Sequence, residues 1–251
     1  MKKYKYIVTG ACSFGVGNRM WSEYGKLVAK HFNAVNCNKS KSGASITTIN
    51  RKILKWCSKN RDKFEDTLVI IGLTEVGRSE IWNNKMNGWQ NILPGRFQPR
   101  PGFSPDGSDQ FVKPGWWSVQ EKNYFINFYN DDAAFVSAIN VIIGLQSFLT
   151  LNNIDHIFFD ALEPIDTFWE KFCNDKEDKL KHKLLFDSFV SQENWYKHPE
   201  YKSILDFTKK NPEMRATKND TRERHPNGKA HKYWAKCLIE YIEKKDEREI
   251  K

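Results

Sequence analysis

Short apolar runs alternate with helical repeats along the first seventy residues. "YKYIVTGA" at 4–11 and "TLVIIGL" at 67–73 are β-rich, and the second is apolar at nearly every position, as in a strand buried on both faces. "AVNCN" at 34–38 is a shorter candidate strand. Apolar residues recur at helical spacing in the two stretches between these strands. They are Trp21, Tyr24, Leu27, Val28, His31 and Phe32, then Ile46, Ile49, Ile53, Trp56 and Cys57.

The same alternation returns after residue 130. "NDD" supplies capping carboxylates for a helix, "IDHIFFDAL" at 154–162 predicts a fourth strand, and "GKAHKYWAKCLIEYIEKK" predicts a last amphipathic helix. The apolar positions of the helix after "NDD" are Phe135, Ala138, Ile139, Ile142, Leu145 and Leu149. Alternating strands and helices predict one α/β domain over residues 1–251. Its parallel sheet is covered on both faces, and ligands bind at the carboxyl ends of the strands.

Two stretches interrupt this rhythm. Residues 83–127 are rich in Pro, Gly and aromatics, and a loop of this length in a compact domain is usually functional, so we expect an insertion or lid there. Residues 165–220 are aromatic and charged, with helical fragments that the pattern does not place. The tryptophans in and beside the insertion either stack on sugar rings or nucleobases or anchor the loop to the body. They are Trp82, Trp89, Trp116 and Trp117.

Composition narrows the class of protein. With 251 residues, 39% apolar and 28% charged, the chain is typical of a globular protein. No run of about 18 apolar residues and no secretory signal is present, so we expect a cytoplasmic protein that does not enter membranes. Five cysteines without C-x-x-C spacing predict reduced thiols, and we expect no metal and no cofactor.

Charge is spread unevenly over the chain. Residues 1–65 hold 14 Lys/Arg against 3 Asp/Glu, whereas residues 66–199 hold 12 against 18. A basic end of this kind can bind nucleic acid or another polyanion, but lysines on exposed helix faces are the commoner explanation.

"TGACSFGVGNRMW" at 9–21 places a serine in a tight turn after the first strand. Turns of this kind bind phosphates or present a nucleophile. The Walker motif fails because Val16 and Gly17 stand where Lys and Ser/Thr belong, and neither G-x-G-x-x-G nor the G-x-S-x-G nucleophile elbow is present. Three common classes of glycine-turn enzyme are therefore disfavoured.

A nucleophilic serine needs a base. His225 lies in "RERHPNGKAHKYWA", where Pro226 and Asn227 form a turn before the last helix that can hold the imidazole rigidly. Glu223 lies two residues earlier and is the candidate acid that orients it. His231 lies inside the helix and is predicted to have a structural role. Cys12 is a rival nucleophile, but strand geometry predicts that its side chain points away from that of Ser13.

Four segments together resemble the sequence blocks of the SGNH, or GDSL-type, hydrolase superfamily. They are "ACSF" after the first strand, "SGAS" before the second helix, "GLTE" after the third strand and "ERHPN…H…WA" before the last helix. The resemblance implies a flavodoxin-like three-layer sandwich and ester hydrolysis, with Ser13 as the nucleophile and His225 as its base. It also implies oxyanion donors at Ser13, Gly43 and Thr74. The segments "HPNGKAHKYWA" and "GLTEVGRSEIW" look most like bacteriophage-encoded members.

This chain also departs from the family pattern. The family's G-D-S reads Ala11-Cys12-Ser13, its oxyanion Asn is Thr74, and the acid position of D-x-x-H is Arg222. A threonine hydroxyl can still donate a hydrogen bond, but losing one oxyanion donor typically costs about 10²- to 10³-fold in rate. The departures leave open a protein that keeps the fold and has lost catalysis.

Two functional hypotheses follow from the sequence. The first is a cofactor-free serine hydrolase of esters, with a carbohydrate O-acetyl ester as the favoured substrate and Glu75 and Arg78 as candidate substrate-binding residues. For these two residues a surface ion pair is an equally good interpretation. The second is a catalytically inactive binding or assembly protein of viral origin that recognises a polyanion or a protein.

Overall fold

A computed structural model describes residues 3–17, 22–84, 86–93, 123–124, 126–172, 175–216 and 225–249. Its strands are β1 (Tyr6–Gly10), β2 (Val35–Asn38), β3 (Thr67–Leu73), β4 (Ser79–Asn83), β5 (Gly88–Ile92) and β6 (Asp155–Asp160). Its α-helices are α1 (Tyr24–His31), α2 (Ile46–Ser58), α3 (Asp131–Leu151), α4 (Phe168–Phe172), α5 (Lys176–Phe189), α6 (Ile204–Lys210) and α7 (Gly228–Glu249). The predicted alternation of strands and helices is confirmed.

The central sheet has the strand order β2-β1-β3-β6, and every pairing in it is parallel. β1 therefore lies between β2 and β3, with Thr9 beside Asn38 on one side and Ile70 on the other. All seven residues of β3 are buried, as its continuous apolar sequence predicts. The carboxyl ends of the four strands meet at one edge, where the predicted site residues follow β1, β2 and β3.

Helices cover both faces of the sheet. α1 packs against α7 on one face, and α2 packs against α3 on the other. The structure therefore has the predicted three-layer architecture. α3 is long and apolar enough, by length and composition, to cross a bilayer. Here it packs on the sheet through one face, with Phe135, Ile139 and Ile142 almost completely buried.

The two stretches that the pattern did not place contain regular elements. β4 and β5 form an antiparallel hairpin with Trp82 opposite Trp89, which the sequence analysis did not predict. α4, α5 and α6 lie within residues 165–220. Residues 94–122 and 125 of the predicted insertion, including Trp116 and Trp117, lie outside the described residues.

The first helix packs very closely on the first strand. A Cβ atom on Gly25 of α1 would lie 2.2 Å from Oγ1 and 3.0 Å from Cβ of Thr9 in β1. Both residues are buried, so neither backbone has space to move away. The absence of a side chain at Gly25 therefore sets the distance between α1 and the strand that precedes the serine turn.

We expect Gly25→Ala to destabilise the protein by about 2 kcal/mol or more, because overpacking a filled core typically costs about 1–3 kcal/mol. Thermal unfolding checks this, and the expected fall in Tm is roughly 5 °C. Gly144→Ala is the matched control, since a Cβ there meets nothing within 4 Å. It should leave Tm unchanged or raise it, because alanine favours helix. Equal effects of the two substitutions would refute the close contact.

Candidate active site

The predicted nucleophile lies in a single 3₁₀ turn, Ser13–Gly15, that follows β1. Backbone bonds from Gly15 N to Cys12 O (3.0 Å) and from Val16 N to Ser13 O (3.2 Å) close the turn. Ser13 is half-buried, whereas Cys12 is completely buried in the core. Ser13 is thus the more exposed of the two candidate nucleophiles, which agrees with a Cys12 side chain that points away from it.

Gly15 has no space for a side chain. A Cβ atom there would lie 2.6 Å from both Ala11 Cβ and Ser40 Oγ. Its carbonyl oxygen accepts a hydrogen bond from Asn38 Nδ2 at 2.9 Å. The serine turn is therefore packed directly against the end of β2.

His225 lies beside the nucleophile. Its Nε2 is 2.8 Å from Ser13 Oγ, although the two residues are 212 positions apart in the chain. The imidazole ring also lies against Phe14, with ring centroids 5.1 Å apart. A serine hydroxyl within hydrogen-bond reach of an imidazole is the arrangement that general-base activation requires.

Asn227 holds the histidine segment in place. Its Nδ2 donates to the carbonyl oxygens of Glu213 (2.7 Å) and Arg215 (2.9 Å). Its Oδ1 accepts from the backbone N–H groups of Lys229 (2.9 Å) and Ala230 (3.1 Å) at the start of α7. The Asn227 side chain, two residues after His225, thus connects the loop of Glu213 and Arg215 to the first turn of α7. The sequence analysis placed Asn227 in a turn but assigned it no role.

The loop after β2 brings Gly43 to the same edge. Gly43 has a φ of +70°, a left-handed conformation that glycine adopts readily. No acceptor in the described part of the chain takes the amide N–H of Ser13 or of Gly43. Two backbone donors without an internal partner, on loops that meet at one sheet edge, suit an oxyanion hole.

Thr74 occupies the third predicted oxyanion position at the end of β3, but it is completely buried. Its Oγ1 has no hydrogen-bond partner among the described residues. A hydroxyl that solvent does not reach is not open to a substrate oxygen in this conformation. Of the predicted set, Ser13 and Gly43 are therefore the residues that are only half-buried.

Glu75 and Arg78 form an ion pair in the loop after β3, with Arg78 Nε 3.1 Å from Glu75 Oε2. The arginine is the more buried partner, since its side chain is 14% exposed. Arg78 lines a cavity of about 140 Å³ between this loop, the first turn of α2 and the start of α3. Other lining residues include Ile46, Thr47, Val76, Tyr129 and Ala134.

The β4–β5 hairpin supports the Gly43 loop. The Glu80 carboxylate accepts from Arg51 through Nε (3.1 Å) and Nη2 (2.7 Å), and Thr48 Oγ1 is 2.7 Å from its Oε2. Thr48 Oγ1 also lies 2.9 Å from Asn91 Oδ1 on β5. This buried network fixes the hairpin to α2, just after the Gly43 loop. No sequence signal pointed to this role of Glu80, because the hairpin that carries it was not predicted.

The remaining predicted site residues lie elsewhere or outside the structure. Glu223 and Arg222 fall outside the described residues, so the orienting acid stays a prediction. His231 is buried in α7 with its ring centroid 6.0 Å from that of Tyr24, and burial lowers its pKa to about 4. A histidine with this pKa is neutral at pH 7, which suits the structural role predicted for it.

A buried carboxyl group at the end of β6 was not singled out from the sequence. Asp160 accepts hydrogen bonds from Ile165 N (3.2 Å) and Trp195 Nε1 (3.3 Å). Burial, and then the charge of Asp166, raise its pKa to about 7. Asp160 also lines a cavity of about 330 Å³ together with Asp166, Lys197 and His198.

No family model and no curated protein sequence matches the chain. Among solved structures, it is similar to the psychrotrophic esterase EstA from a Pseudoalteromonas species, in a form inhibited by monoethylphosphonate. The identity is 12%, the TM-score is 0.51, and the match covers 96% of this chain and 97% of that one. At this identity the likeness is one of fold, and it shows the SGNH-type α/β fold that the four sequence blocks predict.

Two carbohydrate-active proteins match with lower scores. An acetyl xylan esterase, Est2A from the rumen bacterium Butyrivibrio proteoclasticus, is 11% identical with a TM-score of 0.47, over 98% of this chain and 65% of that chain. A carbohydrate esterase whose active site displays divergent catalytic and non-catalytic binding functions is 14% identical with a TM-score of 0.44, over 97% and 69%. Neither these matches nor EstA bear on a phage origin or on cellular location, which stay predictions.

We expect the pH dependence of stability to reveal the buried Asp160. Its carboxyl group stays protonated up to about pH 7 in the folded chain but ionises near pH 4 when unfolded. The folded state therefore binds more protons between these values, so Asp160 stabilises the protein at low pH and this contribution is lost as pH rises through 7. Asp160→Asn should lack that loss. Between pH 5 and pH 8, the Tm of the wild type should fall by at least about 3 °C more than the Tm of Asp160→Asn. An equal fall in the two proteins would contradict the raised pKa.

Proposed function

We propose that this chain, which has the fold of the SGNH hydrolases, is a serine hydrolase of carboxylic esters. The observation that carries the proposal is the 2.8 Å distance between Ser13 Oγ and His225 Nε2. The amides of Ser13 and Gly43, on the loops after β1 and β2 at the same sheet edge, have no acceptor among the described residues and are the donors we propose for the tetrahedral intermediate. A carbohydrate O-acetyl ester is the substrate we favour.

The first half-reaction transfers the acyl group to the enzyme. Ser13 Oγ attacks the acyl carbon while His225 Nε2 accepts the hydroxyl proton. The carbonyl oxygen becomes an oxyanion that the amides of Ser13 and Gly43 stabilise. When the intermediate collapses, the bond from the acyl carbon to the alcohol oxygen breaks, and His225 returns the proton to that oxygen. The alcohol leaves and an acyl-serine remains.

The second half-reaction regenerates the enzyme. A water molecule gives a proton to His225 and attacks the acyl-serine carbon, and the same two amides stabilise the oxyanion. Collapse breaks the bond to Ser13 Oγ, which recovers its proton from His225. The products are the carboxylic acid and free enzyme, and no metal or redox group takes part in any step of this scheme.

The cavity beside Arg78 supports a small acyl group. Ile46 and Thr47, the first residues of α2 and three to four positions after Gly43, line it, and so does the loop after β3 that begins with Thr74. Its volume of about 140 Å³ is well below the roughly 300–1,000 Å³ of pockets for drug-sized ligands. Ile46, Val76 and Ala134 give it apolar walls that suit a short alkyl chain. We assign this cavity to the acyl part of the ester.

A catalytically inactive binding protein is the alternative function. The complete burial of Thr74, where the family has an oxyanion asparagine, favours it. In that case the Ser13–His225 contact is inherited from the fold and the serine is not activated.

A fluorophosphonate probe separates the two functions, because it labels only an activated serine. We expect one adduct by intact mass on the wild type, and none on Ser13→Ala. Labelling of His225→Gln should be at least about 100-fold slower, because the base is lost. EstA, the esterase of similar fold, is itself inhibited by a phosphonate.

Ser58→Ala is the matched control, since Ser58 is exposed and lies at the end of α2. It should label like the wild type. An adduct that persists on Ser13→Ala would refute Ser13 as the nucleophile. A folded wild type that takes no label would refute the hydrolase and support the binding protein.

Acyl-chain preference tests the assignment of the small cavity. We expect p-nitrophenyl acetate to be hydrolysed with a kcat/KM at least about 10-fold above that of the octanoate, because a cavity of about 140 Å³ does not accommodate the additional methylenes of the longer chain. Ala134→Leu should narrow the cavity further and reduce butyrate hydrolysis more than acetate hydrolysis. Faster hydrolysis of octanoate than of acetate would place the acyl group elsewhere.

A further inference from the structure

The stretch between Glu23 and Asp62 carries nine Lys/Arg residues and no Asp or Glu. Three of these lysines, Lys39, Lys41 and Lys52, lie around the loop that bears Gly43, and we name them the cationic rim. Lys41 is exposed, and the other two are half-buried. The local excess of positive charge therefore lies at the candidate active site as well as on distant helix faces.

Backbone bonds fix the cationic rim beside the nucleophile. Lys39 N donates to Thr9 O at 2.7 Å, and Lys41 N donates to Ala11 O at 3.0 Å. These bonds continue the pairing of β1 with β2 to within two residues of Ser13. The rim is thus attached to the serine turn by the sheet itself.

Lys52 on α2 is the third lysine of the cationic rim and contacts the backbone of the first. Its Nζ donates to Lys39 O at 3.0 Å. Burial, and then the charges of Lys41, Lys39 and Arg51, lower the pKa of Lys52. None of the three rim lysines forms an ion pair with a carboxylate in the described part of the chain. Like charges held together without a counter-charge repel one another, and an anion bound among them would relieve that repulsion.

A pair of tryptophans lies on the β4–β5 hairpin, whose last strand leads to the same loop. Trp82 and Trp89 form an edge-to-face pair on the β4–β5 hairpin, with centroids 5.6 Å apart and exposed fractions of 46% and 41%. Leu93, just after β5, lies 3.4 Å from a Cβ built on Gly43. The Arg51 guanidinium lies over the Trp89 ring, 5.1 Å from its centroid, and the exposed parts of the two indoles offer apolar surface on which sugar rings stack.

We infer that the ester substrate is an O-acylated acidic polysaccharide, whose carboxylates bind the cationic rim while an acylated hydroxyl reaches Ser13. This rests on the proposed function. An acidic polysaccharide carries anionic groups, sugar rings and acylated hydroxyls on one polymer, and these match the rim, the tryptophan pair and the nucleophile. A nucleic acid supplies the charge, but its backbone consists of phosphodiesters and offers no carboxylic ester. Water cleaves the ester to give the carboxylic acid and the free sugar hydroxyl.

The test compares O-acetylated polygalacturonate with acetylated xylan, a neutral polymer, at low ionic strength. For the wild type we expect kcat/KM to be at least about 10-fold higher on the acidic polymer, and the advantage should shrink as salt is raised to about 0.3 M. The double variant Lys39→Gln/Lys41→Gln should lose most of this ratio, chiefly through KM. Lys55→Gln/Lys59→Gln removes two exposed lysines from the end of the α2 region and should keep it. Equal ratios in the two double variants, or no preference in the wild type, would overturn the inference.

Binding separates this inference from the proposed function. Ser13→Ala should still be retained on immobilised polygalacturonate at low salt, and the rim variant should not. If the wild type hydrolyses neither polymer and takes no fluorophosphonate label, the proposed hydrolase fails, whereas retention that depends on the rim would still support recognition of the polymer. Rim-dependent retention on DNA with none on polygalacturonate would overturn the polysaccharide and identify nucleic acid as the ligand.

Discussion

The parallel pairing of β1 with both β2 and β3 is the constraint on which the site depends. Parallel strands end at the same edge, so the turns that follow them meet there although they are far apart in sequence. Ser13, Gly43 and Thr74 each follow one of these strands. The close approach of α1 through Gly25 and the filled space around Gly15 then fix where the serine turn lies relative to the sheet. His225 reaches this edge from the far end of the chain because Asn227 attaches its loop to the start of α7.

The elements that the sequence predicts well are those with a simple burial pattern. β3 is buried at every position and α2 has one apolar stripe, so both are visible without tertiary information. The β4–β5 hairpin is different, because it is held by polar contacts of Glu80 with Arg51 and Thr48 that no periodicity reveals. α5 has few buried positions, chiefly His182 and Phe186, so it lacks a continuous apolar face. Tertiary contacts therefore determine these elements more than local pattern does.

The same distinction applies to the site. Ser13 and His225 were recognisable because turn residues surround each of them, and their 2.8 Å contact agrees with that pairing. Asp160 was not, because an aspartate that ends an apolar strand looks like an ordinary strand boundary until its burial is known. Thr74 is the opposite case, because the sequence singled it out and the structure changes its interpretation. Its position follows the family pattern, but only the structure shows that its hydroxyl is buried without a partner among the described residues.

The loops after β2 and β3, which reach the same sheet edge as Ser13, differ in their chemistry. The cavity next to the loop after β3 is small, has Ile46, Val76 and Ala134 in its wall, and contains Arg78 already paired to Glu75, so in the proposed function it takes a short acyl chain and not an additional charge. The loop after β2 carries lysines without carboxylate partners in the described residues, so it suits the anionic part of the alcohol. Gly43 lies on the loop after β2, two residues after Lys41, so the predicted oxyanion amide and the cationic rim belong to one segment. In the proposed mechanism, a substrate that contacts both loops is oriented with its ester carbonyl at the two amides, so that binding energy from the rest of the substrate contributes to positioning at the nucleophile.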